Sequence, residues 1–143
     1  MNSIFISCQS IDSPEPQMLI SELKERGFRM NHSPRNPLDG DDRRWADWYQ
    51  RGLQEAIKES QSFVIIVDRG WDSSTWMGIE ADEGLRKARA SGGNYVMAYW
   101  NPNNIEVKAK GMLGYLKDRL PNKVNEAVEA LTRPMQATAC SRA

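Results

Sequence analysis

The segment Phe63–Ala90 constrains the fold most strongly, because it joins a buried strand to an amphipathic helix through a polar loop. Phe63–Val67 is a continuous apolar run, which is typical of a strand buried on both faces of a parallel sheet. Asp68–Thr75 is polar, so we expect a loop at the carboxyl end of that strand. The helix that follows has an apolar face formed by Met77, Ala81, Gly84, Leu85 and Ala88.

An indole and a carboxylate stand near the start of this helix. Trp76 and Glu80 are four residues apart, and therefore lie on one flank of its first two turns. Ligands of open α/β sheets bind beyond the carboxyl ends of the strands, which is where this helix begins. A glutamate on a helix is usually a solvated surface charge, and a tryptophan usually packs in a core. The two residues alone leave both interpretations open.

The rest of the chain alternates between short apolar runs and helical periods. Strands are predicted at Ile4–Ile6, Phe28–Asn31 and Tyr95–Trp100, with a candidate edge strand at Ile105–Ala109. Helices are predicted after Ser13, from Trp45 to Ser60 and from Val124 to Pro134, with a short helix or turn at Gly111–Arg119. This alternation predicts a three-layer, flavodoxin-like α/β sandwich, in which a parallel sheet of four to five strands carries helices on both faces. Residues 1–133 are predicted to form one domain and residues 134–143 a disordered tail, since Pro134 is expected to end the last helix.

Composition argues against several functional classes. The 19 basic residues balance 19 acidic ones, whereas a nucleic-acid or acidic membrane surface needs a basic excess. Cys8 and Cys140 have no metal-ligand spacing, which favours a reduced, cytoplasmic setting and predicts no metal site. The apolar run at the start of the chain is too short for a signal peptide or a membrane span. His32 is the only histidine, and no nucleophile elbow accompanies it, so a Ser-His-Asp triad is not indicated.

Four segments together resemble a Toll/interleukin-1 receptor (TIR) domain of the bacterial stand-alone kind. They are the opening strand IFISCQS, the loop ending in LDG, the helix-into-strand segment AIKESQSFVIIV, and the motif SSTWMGIE. The order and spacing of the four segments match those of the family, and the resemblance covers residues 3–132. The sequence departs from the family in two places. The stretch from Gly40 to the third strand is long and contains Trp45 and Trp48, and the region after Trp100 matches poorly.

This resemblance implies either of two functions. Some TIR domains are scaffolds that assemble through their loops, and others cleave the nicotinamide–ribose bond of NAD to release nicotinamide and linear or cyclised ADP-ribose. In the cleaving members the matching glutamate is catalytic, which here is Glu80, with Trp76 beside it. The family likeness also implies NAD or a related nucleotide as substrate rather than cofactor, self-association, and a role in bacterial antiphage or stress signalling.

The chemistry requires only one carboxylate. Cleavage passes through an oxocarbenium-like state, as in glycoside hydrolysis, and an anion beside the ribose stabilises that charge. The leaving group starts as a pyridinium and departs neutral, so no general acid is needed. The absence of a second paired carboxylate from the motif is therefore no objection.

The predicted substrate-binding residues come from loops and helix starts at the same edge. Ser7, Cys8 and Gln9 follow the first strand, where they could meet ribose or phosphate. Arg44 is a candidate charge-assisted donor to the pyrophosphate. Trp45 could stack on a base, although its helical stripe favours core packing. Two further residues complete the predicted set: Asp39 and Ser74.

Two other functions stay open at this point. One is a non-catalytic interaction module, whose loops and helix faces dock partner domains. The other is an enzyme similar to nucleoside deoxyribosyltransferases, which attack an N-glycosidic carbon with a carboxylate. The segment GIEADEGLRKA has some likeness to their acidic helix, but an isolated motif of this kind is a weak signal.

Overall fold

Five parallel strands form the central sheet of the described chain. The computed structural model describes residues 3–10, 12–31, 42–69, 71, 75–92, 94–107 and 118–141, and it describes side chains at all of these except 42–50, 75–76 and 134–141. The strand order is β2-β1-β3-β4-β5, and every neighbouring pair is parallel. The strands span β1 (Ser3–Ser7), β2 (Arg29–Asn31), β3 (Ser62–Ile66), β4 (Val96–Trp100) and β5 (Asp118–Arg119).

Helices cover both faces of this sheet, as the sequence predicts for a three-layer α/β sandwich. The helices span α1 (Pro14–Glu25), α2 (Asp42–Glu59), α3 (Thr75–Ala90) and α4 (Val124–Ser141). One core cluster joins α1 and α4 to one face of the sheet through Leu19, Leu23 and Val128. A second cluster joins α2 and α3 to the other face through Leu53 and Met77. Within the described ranges, no helix is both long and apolar enough to cross a membrane.

The strand order creates a switch point between β1 and β3. The chain leaves β1 through α1 on one face and reaches β3 through α2 on the other. In open α/β sheets whose connections diverge in this way, ligands bind at the carboxyl ends of the two strands, which here are β1 and β3. A ligand site is therefore expected at this edge of the sheet.

The first helix illustrates how local sequence sets element bounds. Proline occupies the first turn of α1, where its missing N–H costs no hydrogen bond. After α1, Gly27 adopts a φ of +85°, a left-handed conformation that suits glycine and ends the helix. The chain then enters β2 two residues later.

Two sequence-based assignments were wrong. Ile105–Val107, the described part of the predicted edge strand, is not a strand, and β5 forms instead from residues assigned to a helix or turn. The cause is Asn101, whose side chain bonds the backbone N–H of Ile105 at 2.8 Å and its carbonyl at 2.9 Å, so these groups are not left to pair with a strand. The rest of both predicted segments, residues 108–117, lies outside the described residues.

The predicted end of the last helix at Pro134 was also wrong, because α4 continues to Ser141. A proline inside a helix removes one backbone hydrogen bond and bends the axis, but good helix formers on both sides can carry the helix past it. The residues after Pro134 include Met135, Gln136 and Ala137, which are of this kind. The division into a domain of residues 1–133 and a tail stays a prediction.

Candidate functional site

The carboxyl edge of the sheet gathers buried polar residues. Ser7 ends β1, Asp68 follows β3 by two residues, and Asn101 directly follows β4. All three are buried. Since α2 and α3 each follow a strand and run back along the sheet, both helices begin at this same edge.

Glu80 lies in the second turn of α3, with no solvent-exposed surface (0 %). Its neighbours on the helix, Met77 and Ala81, are buried in the core cluster beneath α2 and α3. By contrast, Asp82 is exposed, and Glu83 lies 3.8 Å from the Nη1 atom of Arg86. Glu80 is therefore not the solvated surface charge that a glutamate on a helix usually is.

Ser7 belongs to the same layer of the molecule as Glu80. Side chains alternate along a strand, so Ser7 points to the face of β1 that also carries Phe5, which packs beneath α2 and α3. The Oγ atom of Ser7 is buried and makes no hydrogen bond with any described residue. A buried hydroxyl without a partner is costly, because its hydrogen bonds to water are not replaced. Ser7 and Glu80 thus share one layer and one edge of the fold.

The two residues after Ser7 lie elsewhere. The side chain of Cys8 is buried in the opposite core cluster, beneath α1 and α4. Gln9 is exposed. The structure therefore separates Cys8 from the layer of Glu80 and leaves Gln9 at the surface near the end of β1.

The other predicted site residues are described in part or not at all. Arg44 and Trp45 lie in the first turn of α2, and Trp76 is the second residue of α3, so their backbones are at the carboxyl edge. Their side chains are outside the described set, and so are Asp39 and Ser74 altogether.

Two buried residues of the β3–α3 loop were missed by the sequence analysis. Asp68 is 7 % exposed and adds a second carboxylate to the edge, and Trp71 is 1 % exposed within the core cluster beneath α2 and α3. A backbone hydrogen bond of 3.1 Å from Trp71 to Asp68 closes a turn between them. The available signal was the position of Asp68 directly after an apolar strand. Burial of Trp71 depends on the packed helices and had no local signal.

The opposite edge carries a structural cluster with shifted pKa values. The Nζ atom of Lys87 donates to the carbonyls of Ile57 and Lys58 at 2.8 Å each and to that of Ser60, and it lies 4.4 Å from the ring centroid of Tyr95. Burial lowers the pKa of Lys87. Burial also raises the pKa of Tyr95, against a smaller opposing effect of its hydrogen bond with Ser60. These contacts fix the end of α2 against α3 and have no evident role at the carboxyl edge.

No cluster of three metal-ligating side chains occurs in the part of the chain that the structure describes. An open cleft of about 540 Å³ lies between the end of α1 and α4, lined by Arg26, Asn125 and Glu129 among others. It is on the face of the sheet opposite to α3, so it is separate from the layer of Glu80.

Comparison with solved structures identifies the fold. No protein-family profile and no curated protein matches the sequence. The TIR domains of the activated Roq1 resistosome that recognises the pathogen effector XopQ match 95 % of this chain and 84 % of their own, with a TM-score of 0.52 and 19 % identity. The RPS4–RRS1 TIR domain heterodimer matches 96 % of each chain, with a TM-score of 0.55 and 14 % identity. The chain has the fold of a TIR domain.

The TIR-like architecture predicted from the four sequence segments is thus confirmed as a fold. A fungal multi-domain GH3 β-N-acetylglucosaminidase with a GCN5-related glucosamine N-acetyltransferase region is also similar, with a TM-score of 0.51 and 13 % identity. The match covers 91 % of this chain but 14 % of that protein. At such identities a structural likeness establishes architecture and not activity. The function has to be argued from the site.

Proposed function

We propose that this protein is an NAD-cleaving enzyme of the TIR type, with Glu80 as its catalytic carboxylate. The observation that carries the proposal is the complete burial of Glu80 in the second turn of α3, beside the switch point of a parallel sheet. A glutamate is rarely this buried, so a buried carboxylate at a ligand-binding edge favours a functional role.

The proposed reaction breaks the bond between ribose C1′ and the pyridinium nitrogen of nicotinamide. The bonding electrons leave with the nitrogen, so nicotinamide departs neutral and positive charge develops on the ribose. The Glu80 carboxylate stabilises that charge, and the effect is stronger in a water-excluded site than in solution. Water or another nucleophile then adds to C1′ and gives linear or cyclised ADP-ribose.

Ser7 supports the proposal as a ribose-binding group. Its buried Oγ lies on the same layer as Glu80 and has a hydrogen-bond capacity that no described residue uses. A substrate hydroxyl would satisfy it. NAD takes part as the substrate, and no step requires a metal or a bound cofactor.

We place this activity in the cytoplasm, in bacterial antiphage or stress signalling, on the basis of the family resemblance. The two TIR neighbours belong to assemblies, a resistosome and a heterodimer, and this favours self-association here as well. The same observation favours the second candidate function, a non-catalytic TIR interaction module.

Mass spectrometry of the products after incubation of the purified protein with NAD tests the proposal. We expect nicotinamide in equal amount to ADP-ribose or to its cyclised form, which is lighter by one water. Intact NAD after incubation at high protein concentration with a crowding agent would contradict the enzymatic proposal and favour the interaction module.

A further inference from the structure

A second polar cluster lies at the carboxyl edge, two strands away from β3. It consists of Arg119 in β5 and three asparagines, and we call it the Arg119 cluster. The Nη2 atom of Arg119 donates to the Oδ1 atoms of Asn104 at 2.6 Å and Asn122 at 3.2 Å, and to the carbonyl of Asn101 at 3.2 Å. The Nδ2 atom of Asn122 also donates to Asn104 Oδ1 at 3.0 Å. The guanidinium is therefore held in place by its neighbours before any ligand arrives.

All acceptors in the Arg119 cluster are neutral. Among the described residues, Arg119 forms no ion pair, and its Nε and Nη1 atoms make no hydrogen bond. Arg119 is also an exposed residue. An anchored guanidinium with free donors is suited to a phosphate or carboxylate, because charge-assisted hydrogen bonds form there with little loss of side-chain entropy.

Charges of both signs lie near Arg119 in the sequence. Lys123 is exposed, and its backbone carbonyl accepts the first hydrogen bond of α4, from the N–H group of Ala127 at 2.8 Å. The N–H groups in the first turn of α4, which have no partner within the helix, therefore lie next to the cluster. Asp118 and Glu126 are the exposed acids nearest in sequence. Asp118 projects to the other face of β5, since neighbouring residues of a strand alternate.

The register of the sheet relates Arg119 to Glu80. Arg119 pairs with Tyr99, whose side chain packs on the core cluster beneath α2 and α3. Paired residues of parallel strands point to the same face, so Arg119 leaves the sheet on the side of α3 and Glu80. Two strand spacings, about 10 Å, separate β3 from β5. In NAD the pyrophosphate follows the ribose that reacts, so an anion site displaced along the same edge fits a substrate that lies across the strands.

We propose that the Arg119 cluster binds the pyrophosphate of the dinucleotide, an inference that rests on the proposed NAD-cleaving function. The shared chemistry is a phosphate-class anion, which could also come from free phosphate. Arg119 is then a substrate-positioning residue that acts on binding, distinct from the chemistry at Glu80.

Calorimetric titration tests the anion site directly, with inorganic pyrophosphate and inorganic phosphate as probes. We expect pyrophosphate to bind the wild-type protein more tightly than phosphate does, and Arg119→Ala to weaken it at least about tenfold. Arg119→Gln keeps a donor for the asparagines but removes the charge, and should show the same loss even if Arg119→Ala misfolds. Arg86→Ala is the matched control, because it removes an exposed arginine far from this edge, and it should bind as the wild type does. Unchanged binding in both Arg119 variants would overturn the site, and equal affinity for the two anions would overturn its assignment to a dinucleotide.

Kinetics separate this inference from the proposed function. Arg119→Gln should raise KM for NAD about tenfold and leave kcat nearly unchanged, whereas cleavage of nicotinamide riboside, which lacks phosphate, should not respond. Cleavage of NAD with an unchanged KM in the variant would overturn the positioning role and leave the function intact. Pyrophosphate binding that depends on Arg119, in a protein that does not cleave NAD, would refute the proposed function and retain the anion site.

Discussion

Three acids on one helix, Glu80, Asp82 and Glu83, have different environments although they lie within four residues. Glu80 is enclosed, Asp82 is exposed, and Glu83 faces Arg86. Helical periodicity identifies the apolar stripe of α3, but it does not say whether an acid on the flank of that stripe is covered. That depends on how the helix packs in three dimensions, so the burial of Glu80 is visible only in the structure. It is also the property that gives Glu80 its proposed chemistry.

At the opposite edge, Tyr95→Phe should lower the free energy of unfolding by about 1 kcal/mol at neutral pH. The hydroxyl of Tyr95 lies 2.6 Å from Ser60 Oγ in a buried position, and the variant loses that hydrogen bond. Urea unfolding of both proteins measures the difference. No loss of stability would contradict a structural role for this contact.

The same pair should respond to alkaline pH. Burial raises the pKa of Tyr95 above its usual value of 10.0, so the folded protein keeps the proton that the unfolded chain releases. The contribution of Tyr95 to the free energy of unfolding is therefore fully present below about pH 10. Above that pH it declines by about 1.4 kcal/mol per pH unit. The stability gap between wild type and Tyr95→Phe should therefore narrow above pH 10. A gap that stays constant to pH 11 would contradict the raised pKa.

At the scale of the elements, α3 packs closely on the sheet through Gly84. A Cβ atom at this position would meet Met97 Cε at 2.8 Å and the ring of Phe63 at 3.0 Å. Gly84→Ala should thus destabilise the fold by about 1 kcal/mol, because overpacking costs about 1–3 kcal/mol and outweighs the gain of about 1 kcal/mol in helix propensity.

Urea unfolding measures this loss, and the double variant Gly84→Ala, Met97→Ala is the control. Removing the Met97 side chain relieves the shorter contact, so the cost of Gly84→Ala should fall in that background. A stabilising effect of Gly84→Ala in the wild-type background would contradict the close packing of α3 on β3 and β4.

Elements with a clear period or a continuous apolar run were predictable from the sequence, and the two-residue strand β5 was not. The predicted helix Thr75–Ala90 has the observed bounds, and β3 differs from its predicted bounds by one residue, because each has a clear period or a continuous apolar run. Strand β5 has only two residues and carries no such pattern. The edge strand that was wrongly predicted to begin at Ile105 has an apolar first residue, but the backbone of Ile105 bonds to the side chain of Asn101, four residues earlier.

Candidate site residues could be chosen from the sequence where their position depends on chain order. Ser7 and Glu80 follow from the rule that ligands bind at the carboxyl edge, combined with the family motif. The burial of Trp71 and the anchoring of Arg119 were not predictable, because they depend on the packed helices and on contacts with Asn101 and Asn122 that no local pattern encodes.

At the scale of the whole molecule, the TIR fold is compatible with either an enzyme or a non-catalytic interaction module. We propose self-association for this protein, so we expect the proposed activity to depend on it. Nicotinamide release per mole of protein should rise as the protein concentration is increased, or when a crowding agent is added. A specific rate that is constant across a hundredfold dilution series would contradict this dependence and indicate an active monomer.

The rate of nicotinamide release by Glu80→Gln, set beside that of Asp82→Asn, tests the central claim most directly. Both variants replace one carboxyl group of α3 by an amide of nearly the same shape, but only the first replaces the enclosed one. We predict that Glu80→Gln lowers kcat by at least about a hundredfold, as is typical when a group that stabilises transition-state charge is lost, and that Asp82→Asn turns over at the wild-type rate. Equal turnover by wild type and a folded Glu80→Gln protein would contradict the account.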